Sequence, residues 1–152
     1  MRLPKEIRKM EVFYDGRCGM CCTFHEWINR QPRTCEIEFI PYQAARAEHV
    51  FPGIMTLDPE KEMIVRTDQN EIYRAAEAWV LCLYSCANQQ AVARRLARPA
   101  MLKIAIHTCR ILAANRHSLS KVFFHKKNKE VKKALHQMQA PDCDSDHCSK
   151  GL

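Results

Sequence analysis

One short stretch of the chain, from Val12 to Cys21, most constrains what the protein can fold into. It begins with apolar and aromatic residues suited to a buried strand, and Asp15-Gly16 then ends that strand with a turn. From Cys18 onward the sequence indicates a helix. The stretch therefore predicts a strand-to-helix junction that carries two cysteines, Cys18 and Cys21, separated by two residues.

Cysteines at such a junction are suited to thiol–disulfide exchange. A Cys-x-x-Cys pair beside a strand, in a chain without a secretion signal, is typical of thioredoxin-like redox centres. The first helical turn has unpaired N–H groups and the positive end of the helix dipole, which stabilise a thiolate at Cys18. Arg17 adds a neighbouring cation. We therefore predict that Cys18 attacks a disulfide and that Cys21 resolves the product.

The pattern of the following helix predicts that the two sulfurs differ in exposure. Four residues recur at the spacing of one buried face: Met20, Phe24, Trp27 and Ile28. Cys21 lies beside this stripe and should be sheltered, whereas Cys18, on the entering turn, should be exposed. Cys22 falls on the opposite face, where it is predicted to be an exposed bystander, an alternative resolving thiol or an added metal ligand. Tyr14 and Trp27 are predicted core residues, and His25 a surface residue.

The segment from Tyr14 to Cys21 resembles the Asp-x-x-Cys-x-x-Cys signature of the DCC family of thiol–disulfide oxidoreductases, which is best represented in bacteria. The resemblance covers roughly residues 10 to 90 and implies a thioredoxin-like fold. The segment from Asn70 to Trp79 is similar to a second family feature, a turn followed by a short strand and a helix. Asn70 and Ala75 stand where such proteins often have glycine, and asparagine tolerates a positive φ at a turn.

Asp15 corresponds to the leading acidic residue of that signature. The resemblance implies a place for it in the catalytic site beside Cys18 and Cys21. There it would orient the loop or accept a proton when Cys21 becomes the attacking thiolate. The alternative is an ordinary Asp-Gly turn residue with no chemical role.

The pattern of the first 88 residues predicts an α/β domain with the thioredoxin-like order of elements. In chain order we expect a strand at Met10–Tyr14, a helix at Cys18–Gln31, a strand at Glu36–Ile40, a short helix at Gln43–Val50, a hairpin formed by Glu62–Thr67 and Glu71–Arg74, and a helix at Ala75–Cys86. The later pattern is helical, over Ala91–Ala97, Ala100–Asn115 and Lys126–Gln139. We therefore divide the chain into a redox core (1–88), a basic helical extension packed on the same domain (89–140) and a flexible tail (141–152).

The positive charge is concentrated in the extension. The chain has a net charge of +7, and the segment from Gln89 to Lys133 contains twelve Lys or Arg and one acidic residue, Glu130. Such a cluster can bind nucleic acid phosphates or an anionic membrane face, or it can simply be a solvated helix face. No helix-turn-helix signature or aromatic stacking platform accompanies it, so we favour the solvated face.

Composition and cysteine content indicate a cytoplasmic globular protein. Hydrophobic residues make up 47% and charged residues 27% of the 152 residues. No apolar run approaches the roughly 18 residues that span a membrane, and the first nine residues lack the apolar segment of a signal peptide. Nine cysteines is an odd and high number. In a reducing compartment most are small buried hydrophobes, as we expect for Cys82, Cys86 and Cys109.

The redox hypothesis needs no bound cofactor, because the sulfurs themselves carry the electrons. Its predicted partners are a protein or small-molecule disulfide and a cellular thiol reductant. The rival is a non-enzymatic basic binding module whose cysteines are inert or hold a structural zinc. A tetrahedral zinc site needs about four ligands, and the tail offers Cys143, Cys148 and His147 as a second set.

Overall fold

The structure is a computed structural model that describes residues 1–109 and residue 111. Strands and helices follow one another in the predicted order: β1 (Lys9–Tyr14), α1 (Gly19–Asn29), β2 (Glu36–Pro41), α2 (Ala45–Val50), a 3₁₀ helix (Ile54–Leu57), β3 (Ile64–Thr67), β4 (Ile72–Arg74), α3 (Ala75–Tyr84) and α4 (Gln90–Leu96). Residues 99–109 form a further helix. The predicted last helix, Lys126–Gln139, and the tail lie outside the described residues.

The four strands form one mixed sheet in the order β2-β1-β3-β4. β1 and β2 run parallel, with α1 as the crossover between them, and β3 pairs antiparallel with β1. The predicted hairpin forms as the antiparallel pair β3–β4. This alternation of helices with a mixed four-stranded sheet is consistent with a thioredoxin-like fold, so the predicted α/β fold class is confirmed.

The core is divided between the two faces of the sheet because side chains alternate along β1. Met10, Val12 and Tyr14 point to the face covered by α1 and α3. Phe13 points to the other face, in a cluster with Ile40 that α2 and the 3₁₀ helix cover. The sheet is therefore buried on both sides along its central strand.

The first part of the basic extension packs on the redox core. Ala93 of α4 and Leu102 of the 99–109 helix share a buried cluster with Ala76 and Val80 of α3. The predicted division at residue 88 stays a prediction, because much of the extension lies beyond the described part of the chain. Within that described part, no helix is both long and apolar enough to cross a bilayer.

Two residues that stand where the family resemblance placed glycine have a positive φ. Asn70 has φ 61° in the turn between β3 and β4, and Ala75 has φ 48° where α3 begins. Asparagine tolerates this left-handed region, but alanine is disfavoured there by about 1–2 kcal/mol, because its Cβ approaches the following carbonyl oxygen. Ala75 is therefore a strained position in an otherwise ordinary helix start.

Ala75→Gly is expected to stabilise the protein. Removing the Cβ relieves the strain, and the greater freedom of glycine in the unfolded chain offsets about 0.4–1 kcal/mol of that gain. The free energy of unfolding in urea should rise by roughly 0.5–1 kcal/mol. Ala91→Gly is the matched control: Ala91 is an exposed residue of α4, and this change should lower the free energy of unfolding by about 1 kcal/mol. A comparable loss in both variants would contradict the prediction.

Candidate active site at the start of the first helix

The cysteine pair lies at the predicted junction between β1 and α1. Cys18 is the N-cap residue of α1 and has an extended backbone, with φ −89° and ψ 109°. The turn before it is closed by the Cys18 N–H, which donates to the carbonyl oxygen of Asp15 at 3.1 Å. Cys21 follows within the first helical turn, close enough to Cys18 that each thiol shifts the pKa of the other.

The surroundings of Cys18 favour its thiolate. The Cys21 thiol lowers the pKa of Cys18 by donating to it, and the backbone N–H groups of Cys21 and Met20 act in the same direction. Burial and the negative charge of Asp15 oppose this shift. The net result is a pKa of about 6 for Cys18, so the thiol is mostly ionised at neutral pH.

Cys21 shows the opposite behaviour. Its hydrogen bond to Cys18 raises the pKa of Cys21 far above the ordinary thiol value, because the bond exists only while Cys21 keeps its proton. Burial and the charges of Cys18 and Asp15 raise the pKa of Cys21 further. The reduced site therefore holds one charge on Cys18 and one proton on Cys21.

The predicted exposure of the two sulfurs is wrong. Cys18 is only 1% exposed, whereas Cys21 is half-buried. The turn that contains Cys18 folds back on the end of β1, and the β2–α2 loop binds it through Gln43, whose side chain accepts a hydrogen bond from the Gly16 N–H at 3.1 Å. These contacts enclose the thiolate, which no helical periodicity within α1 could indicate.

Cys22 is a core residue, so its predicted exposure is also wrong. It is 3% exposed, and its sulfur donates to the carbonyl oxygen of Gly16 at 3.4 Å. Burial raises the pKa of Cys22 to about 12, and Cys22, unlike Cys21, does not line the cavity beside α3. Trp27, predicted to lie in the core, is 37% exposed. Phe24 packs instead on Trp79 of α3, with ring centroids 4.1 Å apart.

The other face of α1 packs against β1 and β2. Tyr14 is buried, as predicted, and its hydroxyl lies 3.4 Å from Nδ1 of His25. His25 also contacts Phe39, with ring centroids 4.3 Å apart. It is half-buried rather than on the surface, and burial lowers the pKa of His25. These aromatic contacts fix the rotation of α1 about its axis.

Residues 15–18 form the turn before α1, called the reactive turn below. Its first residue, Asp15, is buried, at 5% exposure. Its Oδ1 accepts hydrogen bonds from the Arg17 N–H at 2.9 Å and from Nε2 of Gln43 at 2.6 Å. Arg17 is exposed and contributes its backbone to this site. The sequence interpretation missed Gln43, for which the only available cue was its position just after β2, at the same edge of the sheet as Asp15.

A cavity of about 780 Å³ begins at Cys21 and Asp15. It runs between α3 and the 99–109 helix and is lined mainly by apolar side chains, among them Met20, Met63, Trp79, Val80, Leu83 and Ile104. A volume of this size lies within the range of small-molecule sites. Cys21 lines the cavity and Cys18 does not.

The structure describes seven of the nine cysteines. Among residues 1–109 and 111, no group of three or more His, Cys, Asp or Glu side chains is placed to hold a metal ion. All seven cysteines in that part of the chain are free thiols. Cys82 and Cys86 are fully buried, as predicted, and Cys109 is half-buried. The proposed zinc ligands Cys143, Cys148 and His147 lie outside the described residues.

Comparison with known proteins identifies one family. Residues 12–122 match the family model described as DCC1-like thiol-disulfide oxidoreductase. No curated protein and no solved structure matches the chain significantly. The matched region contains the cysteine pair, the whole sheet from Val12 onward and the start of the basic extension.

The pH dependence of alkylation should report the low pKa of Cys18. The rate of Cys18 alkylation by iodoacetamide should rise with pH, reach half of its maximum near pH 6 and level off above it, since only the thiolate reacts. Cys21→Ala removes the donor and should move the midpoint upward, toward the ordinary value of about 8.5.

The label can be located by mass spectrometry on the tryptic peptide 18–30, which cleavage after Arg17 and Arg30 releases. Cys109→Ala is the control, and it should leave the midpoint unchanged. A midpoint near 8.5 in the unmodified protein would contradict the assigned charge distribution.

Proposed function

Because this chain belongs to the DCC1-like thiol-disulfide oxidoreductase family, we propose that it reduces disulfides with the dithiol of Cys18 and Cys21. The substrate is a disulfide in a protein or a small molecule. The observation that carries the proposal is the position of the pair at the start of α1, with Cys18 as the N-cap residue and Cys21 in the first turn; in agreement with it, the pKa of Cys18 is lowered to about 6 and that of Cys21 is raised. An attacking thiolate beside a protonated resolving thiol is the arrangement that disulfide exchange needs.

The first step is attack by Cys18. Its thiolate forms a bond to one sulfur of the substrate disulfide, the substrate S–S bond breaks, and the second substrate sulfur leaves as a thiolate that takes a proton from water. The product is a mixed disulfide between Cys18 and the substrate. Loss of the negative charge on Cys18 removes one of the causes that raise the pKa of Cys21.

The second step is attack by Cys21 on the sulfur of Cys18. Cys21 loses its proton, forms the Cys18–Cys21 disulfide and expels the remaining substrate sulfur as a thiolate. Two electrons have then passed from the protein to the substrate. We propose Asp15 as the group that accepts the Cys21 proton, since it is buried and lines the same end of the cavity as Cys21.

A cellular thiol reductant must then reduce the Cys18–Cys21 disulfide, and the sulfurs need no bound cofactor for either half of the cycle. We propose that this takes place in the cytoplasm, where low-molecular-weight and protein thiols supply electrons. The reductant approaches the same cysteines as the substrate, so the two reactions alternate at one site.

Access to Cys18 requires a local movement. Because Cys18 is 1% exposed, a substrate sulfur reaches it only when the turn of residues 15–18 or the β2–α2 loop shifts. The cavity beside Cys21 provides the approach, and its apolar lining favours substrates that carry apolar groups next to the disulfide.

A redox titration in glutathione buffers tests the proposed chemistry. The tryptic peptide 18–30 should pass from dithiol to disulfide in one two-electron transition, at a potential within the roughly −120 to −270 mV span of thiol–disulfide oxidoreductases. A potential near the lower end would support a reductase. If no Cys18–Cys21 disulfide forms at any potential, the proposal fails, and measurement of bound zinc would then test the binding-module rival.

Single substitutions should separate the roles of the two sulfurs. Cys18→Ser is expected to reduce turnover of a model disulfide to the uncatalysed background, because the nucleophile is lost. Cys21→Ser should instead accumulate a mixed disulfide on Cys18 that mass spectrometry detects. Cys22→Ser serves as the matched control and should keep its turnover. Retained turnover in Cys21→Ser, or a mixed disulfide trapped on Cys21 in Cys18→Ser, would contradict the assigned roles.

A further inference from the structure

Gln43 makes two hydrogen bonds to the reactive turn with one side-chain amide. Its Nε2 donates to Oδ1 of Asp15 at 2.6 Å, and its Oε1 accepts from the Gly16 N–H at 3.1 Å. An amide side chain offers a donor and an acceptor side by side in one planar group, whatever the pH. Glutamate can serve Gly16 but cannot donate to a carboxylate when it is ionised, and leucine, similar in size, can do neither.

The backbone that carries Gln43 is itself fixed to β1. The pairing of β1 with β2 ends at Tyr14 and Pro41, and the next N–H, that of Tyr42, donates to the carbonyl oxygen of Tyr14 at 3.0 Å. The Ala44 N–H donates to Pro41 at 3.0 Å and closes a turn around Gln43. The amide is therefore presented to Asp15 by backbone that is hydrogen-bonded to the end of the sheet.

We propose that Gln43 is a positioning residue that holds the Asp15 carboxylate next to Cys21 for the resolving step. This inference rests on the proposed disulfide exchange, in which Asp15 accepts the proton of Cys21. It adds the residue that holds Asp15 in place. Gln43 touches neither sulfur through a hydrogen bond in the structure, and its effect passes through Asp15 and through the turn that begins at Gly16.

The inference predicts a specific dependence on pH. When the acceptor is displaced, Cys21 must lose its proton to solvent, which is slow at low pH and becomes easier as hydroxide increases. Gln43→Leu should therefore slow the resolving step about 10-fold or more near pH 6, within the range by which a positioned base accelerates proton transfer. The deficit should shrink as the pH rises toward 9. Damage to the fold alone would lower the rate by a similar factor at every pH.

The experiment follows the two steps separately on the full chain. The reduced protein is mixed rapidly with an aromatic disulfide and quenched with acid at intervals. Mass spectrometry of the tryptic peptide 18–30 then gives the amounts of dithiol, mixed disulfide and internal disulfide. Decay of the mixed disulfide measures the resolving step by Cys21, and its formation measures the attack by Cys18.

Four further variants make the result specific. Gln43→Met keeps the length of the side chain and removes the donor to Asp15 without adding a charge beside it, so it should show the same pH-dependent deficit as Gln43→Leu. Asp15→Asn should show the deficit too, and adding Gln43→Leu to it should produce no further change, because the two residues act as one unit. Gln31→Leu is the matched control, since Gln31 also makes two side-chain hydrogen bonds, at the far end of α1. It should resolve at the normal rate.

The outcomes separate this inference from the proposed function. If the unmodified protein forms no mixed disulfide or never resolves it, the disulfide-exchange function fails and the role of Gln43 fails with it. If the unmodified protein resolves normally and Gln43→Leu does so equally fast, or is slowed by a constant factor at all pH values, the function stands and the inference is overturned. Additive effects of Asp15→Asn and Gln43→Leu would also overturn it.

Discussion

The parallel pairing of β1 with β2 is the constraint on which the site depends. The two strands stay in register from Lys9 and Glu36 to Tyr14 and Pro41, so both chains leave the sheet at the same edge. One leaves toward the reactive turn and the other toward Gln43, and residues 27 and 28 positions apart in sequence become hydrogen-bonded. Because α1 begins directly from that turn, the sheet determines where the helix N-terminus and its thiolate lie.

The rotation of α1 about its axis then determines which residues surround each of the cysteine sulfurs. The helix packs against two surfaces, the sheet through Cys22 and Ile28 and helix α3 through Phe24. The bond from Cys22 to the carbonyl oxygen of Gly16 joins the buried side of the helix to the turn before it. In this orientation Cys21 faces the cavity beside α3, and Cys18 is enclosed. The aromatic contacts of α1 hold this orientation, so they serve the site as well as the core.

The sequence alone was sufficient to predict those elements whose structure depends on residues close together along the chain. Strand β1, the start of α1 at Cys18 and the β3–β4 hairpin follow from alternation, turn residues and helix N-terminal chemistry, and all three were predicted. The exposure of Cys18 and Cys22 was not, because a helix that packs on two surfaces buries more than one stripe, and periodicity cannot say which side is enclosed by a distant loop. Gln43 was missed for the same reason, as its partners come from another part of the chain. The positive φ of Ala75 was indicated only by the family resemblance.

In this site the charged sulfur and the sulfur that lines the cavity belong to different cysteines. This arrangement bears on why an acidic residue, Asp15, lies beside them. The thiolate is the form that reacts with disulfides and oxidants, yet it resides on the enclosed Cys18, while the sulfur that lines the cavity stays protonated. In the reduced state the carboxylate of Asp15 works against the nucleophile, because its negative charge raises the pKa of Cys18 as well as that of Cys21. A buried acid held by Gln43 and by the Arg17 N–H is thus unfavourable for the first step. Under the proposed function, its placement serves the second step, when Cys18 is uncharged in the mixed disulfide and Cys21 must give up its proton.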